Sequence, residues 1–245
     1  MTKVCVLGPS GKMGRAVIEA AKAREDLQVT STVDLGEDVA KGLAAAQVYV
    51  DFTSPDGTRA AARAALANKT AAVIGTTGLR AGEEQAIAEL AKVAPVVVAA
   101  NFSLGVNLLL GLVKQAAKAL GTEWDAEVVE THHKAKRDAP SGTALAIARA
   151  IAAGHGVDYD QVKRHTRDGD IGPRPRGEIG VATLRGGDVV GEHVAYFFGQ
   201  AERIEIAHRA TSRTIFAAGS LRAATWVVGK PPGRYDMLDV LGFGS

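Results

Sequence analysis

Cysteine is all but missing from this chain: Cys5 is the only one among 245 residues. A lone thiol excludes an intramolecular disulfide, and its place inside an apolar strand predicts a packed thiol in a reducing compartment. No apolar run approaches the roughly 20 residues that a membrane helix needs. Met1 leads straight into a predicted strand, with neither a cationic n-region nor an apolar h-region, so no export is expected and the expected location is cytoplasmic. A dominant charge is absent too: 29 basic residues against 27 acidic ones leave +2, which argues for neither nucleic acid nor membrane as a partner. There is no internal repeat and no low-complexity segment beyond alanine-rich helices. What remains is ordinary for a globular protein, 47% hydrophobic and 23% charged, and long enough for one large or two modest domains.

The first hundred residues alternate between short apolar runs and helical patterns. Val4–Leu7 is followed by the turn Gly8-Pro9-Ser10-Gly11-Lys12-Met13-Gly14 and a helical pattern over 15–24. This G-x-x-G-x-x-G spacing is a variant of the dinucleotide fingerprint, in which glycines permit tight turning and close approach to a pyrophosphate. A second strand, Leu27–Val33, ends at Asp34, whose carboxylate can accept hydrogen bonds from both ribose hydroxyls of an adenosine. Strands over 48–52, 71–74 and 96–100 alternate with helices over 55–67 and 81–92, the first of them opened by Ser54-Pro55 in cap and first-turn order. Such an alternation predicts an α/β, Rossmann-like parallel sheet covered on both faces, with ligands beyond the carboxyl ends of its strands. Phe52, Gly75-Thr76-Thr77 and Ala99-Ala100-Asn101-Phe102 fall at such ends. Each taken singly also reads as an ordinary strand-to-helix loop.

After Phe102 the character changes. A long apolar helix over 103–120, ended by Gly121, leads out of the nucleotide domain. Residues 154–177 read as a long irregular connection, of the kind that is usually functional or mobile. Strand-like runs follow over 179–184, 189–198 and 203–208, with Arg185-Gly186-Gly187-Asp188 as a hairpin turn between the first two. Consecutive strands without helices predict a mainly antiparallel sheet, hence an α+β second domain. His193 and His208 lie within those strands and read as structural. No Cys/His/Asp spacing resembles a metal site. A last helix spans 214–228.

The stretch most unlike a plain scaffold is Glu130–Ala144, ETHHKAKRDAPSGTA. It follows a strand over 126–129 and opens a helix over 144–153, closed by Gly154. Neighbouring strand residues point to opposite faces, so His132 and His133 have different jobs if the strand runs through them. One could carry a proton near neutral pH while the other binds or packs. Lys136, in the loop, can swing back toward His132. Ser141 is placed to cap the helix with Gly142 and Thr143 in its first turn, where N–H groups have no partner inside the helix and favour an anion. A capping box would need Glu or Gln at position 144, which is alanine. These donors therefore suit a ligand carboxylate or phosphate. Two adjacent histidines followed by basic residues also read as a solvated strand end, and composition leaves both readings open.

The stretch resembles the E-x-H-H-x-x-K-x-D-A-P-S-G-T-A signature of the 4-hydroxy-tetrahydrodipicolinate reductases, also called dihydrodipicolinate reductases, at every fixed position. The resemblance runs from Val4 to about Val240. It implies a discontinuous dinucleotide-binding domain, 1–102 with 213–245, around a substrate-binding and oligomerisation domain, 103–212, in a homotetramer. It implies NAD(P)H-dependent reduction of a cyclic dicarboxylate, 4-hydroxy-tetrahydrodipicolinate, on the route to diaminopimelate and lysine. Carried over by position, His132 and Lys136 take the proton roles. His133, Lys136, Ser141, Gly142 and Thr143 bind substrate, and the carboxylates find donors in Lys136 and the Gly142 and Thr143 amides. Cofactor contacts fall on Gly8 to Gly14, Asp34, Phe52, Gly75, Thr76, Thr77, Ala99, Ala100, Asn101, Phe102, Arg213 and Phe216. Family members with a basic residue directly after the acid accept both cofactors; here Leu35-Gly36-Glu37-Asp38 follows Asp34, so NADH is the expected preference and NADPH a possible substitute. Another NAD(P)-dependent oxidoreductase would not require the whole signature, and a silent dinucleotide-binding regulator would not require His132 and Lys136.

Overall fold

The computed structural model describes residues 1–244. The chain opens with β1 (Thr2–Leu7), α1 (Lys12–Ala21), β2 (Leu27–Val33), α2 (Val39–Leu43), β3 (Val48–Asp51), α3 (Pro55–Asn68), β4 (Ala71–Ile74), α4 (Ala81–Ala91) and β5 (Pro95–Val98). It continues through α5 (Leu104–Leu120), β6 (Asp125–His132), α6 (Gly142–His155), α7 (Tyr159–Val162), β7 (Lys163–Arg164), β8 (Ile179–Arg185), β9 (Gly191–Phe198) and β10 (Arg203–Ala210). Then come α8 (Thr214–Val227), β11 (Gly233–Tyr235) and α9 (Met237–Val240). Two compact units result, Met1–Leu104 with the segment from Thr214 onward, and Gly105–Arg213.

The first unit is built on a six-stranded sheet in the order β11-β5-β4-β3-β1-β2, with every adjacent pair parallel. Its strands are apolar without alternation because both faces are covered. Val6, Val50 and Val97 meet Val17 of α1 and Leu221 of α8 on one face. Cys5, Tyr49 and Ile74 meet Ala61 of α3 and Leu90 of α4 on the other. Cys5 is accordingly a buried free thiol. Strand order reverses at β1, which has β2 on one side and β3 on the other, so a crevice opens at their carboxyl ends.

Helix α1 begins at Lys12, three residues before the expected start, and ends at Ala21 rather than Arg24. Gly14 is thus a helical residue. It is glycine for packing, since a Cβ there would lie 2.0 Å from the Gly8 carbonyl oxygen. Ser54 Oγ accepts the Gly57 amide at 3.2 Å and Pro55 stands in the first turn, as the sequence predicts for α3. Strand β11 and helix α9 carry no readable pattern; three residues, Gly-Arg-Tyr, become a strand because β5 offers them a backbone edge.

The second unit holds a five-stranded sheet in the order β10-β9-β6-β8-β7. It is mixed: β9 is antiparallel to both β10 and β6, whereas β8 is parallel to β6 and to β7. Residues 185–188 do not form the expected hairpin, because β6 lies between β8 and β9. The cause is α6. A strand–helix–strand crossover makes β6 and β8 parallel neighbours, and the chain must then pass the end of β6 to reach its other side.

Helix α6 extends two residues beyond the expected span at each end and closes at Gly156, which takes the left-handed conformation with φ +71. Gly154 is inside the helix because a Cβ there would come 2.4 Å from the Lys114 carbonyl oxygen on α5. Ile147 and Ile151 of α6 pack with Val113 of α5 and with Ala126 and Val128, alternate residues of β6. The connection between α6 and β8, expected from the sequence to be irregular, holds the short α7 and β7, and it is tied to β6 by ion pairs. Arg167 forks onto Glu127 at 2.9 and 2.7 Å, and Arg174 reaches Asp125 at 2.6 Å.

Candidate active site

In the first unit, Gly8, Ser10, Gly11, Asp34 and Phe52 come together around a cavity of about 560 Å³ at the carboxyl ends of β1, β2 and β3. Gly8 adopts φ +67, which lets the chain leave β1 sharply while its amide donates to the Val33 carbonyl at 2.8 Å. Gly11 is the N-cap of α1 and supplies no side-chain cap, so the helix start faces the crevice as backbone. Asp34 accepts the Leu35 amide at 2.9 Å. The Ser10 hydroxyl and the Leu35 amide hold its carboxyl below the usual carboxylate range, so it is an acceptor at neutral pH. These features fit a dinucleotide: close approach at the glycines, an uncapped helix start and a carboxylate at the ribose position.

Other residues of the proposed cofactor set lie outside the lining of that cavity. Gly75 is pressed against Phe52, where a Cβ would come 2.0 Å from the ring. Thr76 is buried with its hydroxyl unpartnered, and Thr77 is exposed. Ala99, Ala100 and Asn101 follow β5, with Asn101 Oδ1 accepting the Ser103 amide at 2.8 Å. Phe102 is core, its ring edge-on to Phe52 at 5.5 Å, so only its backbone is available to a ligand. Arg213 is exposed just before α8, and Phe216 is half-buried in its first turn.

In the second unit, β6 alternates between buried and half-buried residues along its length. The same face that carries Ala126 and Val128 into the core therefore carries Glu130 and His132 to its rim. His132 Nδ1 bonds to Glu130 Oε2. Glu130 Oε1 accepts from the Ser141 amide at 3.1 Å, from Thr183 Oγ1 at 3.1 Å and from Arg185 Nη2 at 3.0 Å. Burial pushes the Glu130 carboxyl up, but Arg185, His132 and the Ser141 amide outweigh it and hold the group below its ordinary range. His132 is pulled below the ordinary imidazole value by burial, with Lys136 and Arg185 adding to that and Glu130 opposing it.

The strand stops at His132, so His133 opens the turn and is half-buried. Lys136 Nζ pairs with Asp138 at 2.9 Å. Ser141 is buried and caps α6, accepting the Ala144 amide at 3.1 Å, and its hydroxyl also meets His193 Nε2 at 3.3 Å. Gly142 is exposed and Thr143 half-buried in the first turn. His132, Ser141 and the helix start are thus brought together, through Glu130.

Three partners were not assigned a role from sequence. Glu130 could have been found from its spacing, since residues two apart on a strand share a face. Arg185 reads locally as a turn residue, yet its guanidinium donates both to Glu130 and to the Asp138 carbonyl, the latter at 2.7 Å. His193 stands edge-on to His132 at 5.1 Å. Atoms of Glu130, His132 and His193 lie within 4.8 Å of one another, a cluster no sequence spacing shows because β9 supplies one of its members. Since Glu130 already accepts a guanidinium and three further donors, the cluster is built as a hydrogen-bonded assembly.

Comparison with known proteins agrees with both halves. Residues 2–102 match the family described as dihydrodipicolinate reductase, N-terminus, and residues 105–241 match dihydrodipicolinate reductase, C-terminus. The chain is 46% identical to a 4-hydroxy-tetrahydrodipicolinate reductase of Anaeromyxobacter dehalogenans, over 99% of this chain and 98% of that one. It is also 46% identical to the same-named protein of Caulobacter vibrioides, over 98% and 97%. A dipicolinate-bound dihydrodipicolinate reductase from Paenisporosarcina sp. TG-14 shares the fold, with a TM-score of 0.79 over 98% of each chain at 23% identity. With its two halves matching in order, nearly end to end, the chain belongs to the dihydrodipicolinate reductase family.

Proposed function

We propose that this protein is an NAD(P)H-dependent oxidoreductase that reduces 4-hydroxy-tetrahydrodipicolinate to tetrahydrodipicolinate, in diaminopimelate and lysine biosynthesis. Substrate, reduced cofactor and one proton give product, oxidised cofactor and one water. The observation that carries the reading is the complete signature from Glu130 to Ala144, folded as a strand end, a basic loop and a capped helix start.

When bound, the reduced nicotinamide supplies hydride to C4 of the ring. Residues of the chain hold it: the turn from Gly8 to Gly14 at the pyrophosphate, Asp34 at the ribose, and the segments ending β3, β4 and β5 toward the nicotinamide side. His132 and Lys136 manage the proton due at the neighbouring carbon. The ring carboxylates are taken by Lys136 and the Gly142 and Thr143 amides, beside Ser141 and His133.

We further propose that NADH is preferred. The residues lining the cavity include Asp34, Glu37 and Asp56 and no lysine or arginine, a poor setting for a 2′-phosphate. From the family resemblance we carry forward a homotetramer working in the cytoplasm. Among the described residues, no helix is long and apolar enough to cross a membrane.

The test is spectroscopic. Nicotinamide absorbance is followed while a synthase generates the substrate in situ from pyruvate and aspartate semialdehyde. Oxidation of cofactor that depends on that synthase is expected. Absence of turnover with either cofactor would remove the proposed reaction.

A further inference from the structure

The proposed chemistry needs His132 to present one particular ring nitrogen, and an imidazole has two. We propose that Glu130, clamped by Arg185, is the positioning residue of this site. It holds His132 as the Nδ1–H tautomer and so fixes Nε2 as the atom offered to substrate. This rests on the proton role given to His132 above.

The geometry supports each part. Glu130 is fully buried, and its two oxygens divide their work. Oε1 accepts a backbone amide, a hydroxyl and a guanidinium, drawn from the start of α6 and from β8. Oε2 is left for His132 Nδ1. A carboxylate so supplied with donors is an acceptor only, and a neutral imidazole can bond to it only through a protonated Nδ1. Nε2 is then the basic atom when His132 is neutral and the acidic one when it is charged.

Nε2 also has room. It lies toward Gly191 at the start of β9, where a Cβ would come within 3.0 Å of it. His193, the neighbouring ring on that strand, turns its Nε2 toward Ser141 and so does not compete for Glu130. Arg185 does two things at once: the same Nη2 that meets Glu130 also meets the Asp138 carbonyl in the signature loop. It therefore couples the orientation of the histidine to the path of the loop carrying Lys136. The groups facing His132 are Glu130 on its own strand, Lys136 in the loop, Arg185 on β8 and His193 on β9. Of these, Glu130 alone is anionic.

The experiment compares wild type with Glu130→Gln, using ring-nitrogen NMR of ¹⁵N-labelled histidine, with His132→Ala to assign its signals. Wild type is expected to show His132 as a single Nδ1–H tautomer in its neutral form. In Glu130→Gln that preference is lost and the His132 titration moves to lower pH, since its only facing anion is gone. kcat falls at least about tenfold with KM little changed; conversion to the amide of a buried acid that orients a catalytic histidine costs roughly 10⁴-fold in serine proteases. Neutral His132 protonated at Nε2 in wild type would overturn the proposal, as would a folded Glu130→Gln variant with unchanged tautomer and kcat. Should that variant not fold, the wild-type spectrum decides by itself, and Arg185→Lys tests the clamp with charge retained. Full activity in His132→Ala would instead sink the catalytic reading of His132 while leaving the tautomer result standing.

Discussion

Gly14 has no side chain because the carbonyl oxygen of Gly8 occupies its place: a Cβ there would lie 2.0 Å from that oxygen and 2.7 Å from the carbonyl carbon. Both atoms are backbone, so neither can swing aside. Gly14→Ala must therefore push α1 away from the turn that it shares with the cofactor site. Overpacking of this kind costs about 1–3 kcal/mol. A lower Tm and weaker NADH binding are expected together, by thermal melting and fluorescence titration. Gly82→Ala is the control, since its Cβ would meet only Arg59, at an ordinary 3.6 Å. Wild-type values for both properties in Gly14→Ala would show that the turn gives way freely.

His132→Ala and Lys136→Ala should each lower kcat by ~10²- to 10⁴-fold. Both should keep the wild-type far-ultraviolet circular dichroism, because neither side chain belongs to a core cluster. Steady-state kinetics with the coupled synthase assay reads the first effect. Retention of activity by both variants within a factor of about three would make the assignment untenable.

Cofactor choice should follow the charge around Asp34. kcat/KM is expected to be higher with NADH than with NADPH, because Asp34, Glu37 and Asp56 line the cavity and Leu35 is fully exposed without charge. Leu35→Arg should narrow the gap by pairing a 2′-phosphate. The contrast should also weaken at high salt, as exposed charges are screened. Equal or better efficiency with NADPH at low and physiological salt alike would show that Lys12, Lys41 or another cation meets the phosphate.

Acid should destabilise the fold partly through His193. Burial first, then the charge on His132, pushes its pKa down from 6.5 to about 4. As pH falls, the unfolded chain binds this proton before the folded one does. The stabilisation is therefore complete above about 6.5 and is lost between there and about 4. A shift of this size corresponds to roughly 3 kcal/mol. His193→Gln, which can still hydrogen-bond to Ser141, should flatten the fall in Tm across that window. An identical acid profile in the variant would remove His193 from the account, leaving the other depressed histidines, His132, His155 and His208.

The local parts of this protein are written in short stretches of sequence. Unbroken apolar runs such as Val48–Val50 and Ala71–Ile74 specify strands covered on both sides, and Ser54-Pro55 specifies where α3 starts. Glycine is legible as a type but ambiguous in purpose. Gly14 and Gly154 look like breaks, yet each lies inside a helix because another piece of backbone approaches it. The approaching backbone, Gly8 in one case and Lys114 in the other, is invisible to a local pattern.

Strand period, loop and cap all lie within the fifteen residues from Glu130 to Ala144, so the sequence carried the expectation of an anion-binding helix start there, and the family resemblance added that of a proton-carrying pair. Tertiary structure alone decided what supports that pair. Insertion of β6 between β8 and β9 turns an expected hairpin into a mixed sheet and brings Thr183 and Arg185 from one side and His193 from the other against Glu130 and His132. Arg185 is 55 residues from Glu130 in the chain, with a helix and a long connection between them. Which distant strand pairs with β6 is set by the crossover of α6 and the burial of its apolar face, energies summed over the whole unit. No window of sequence contains them.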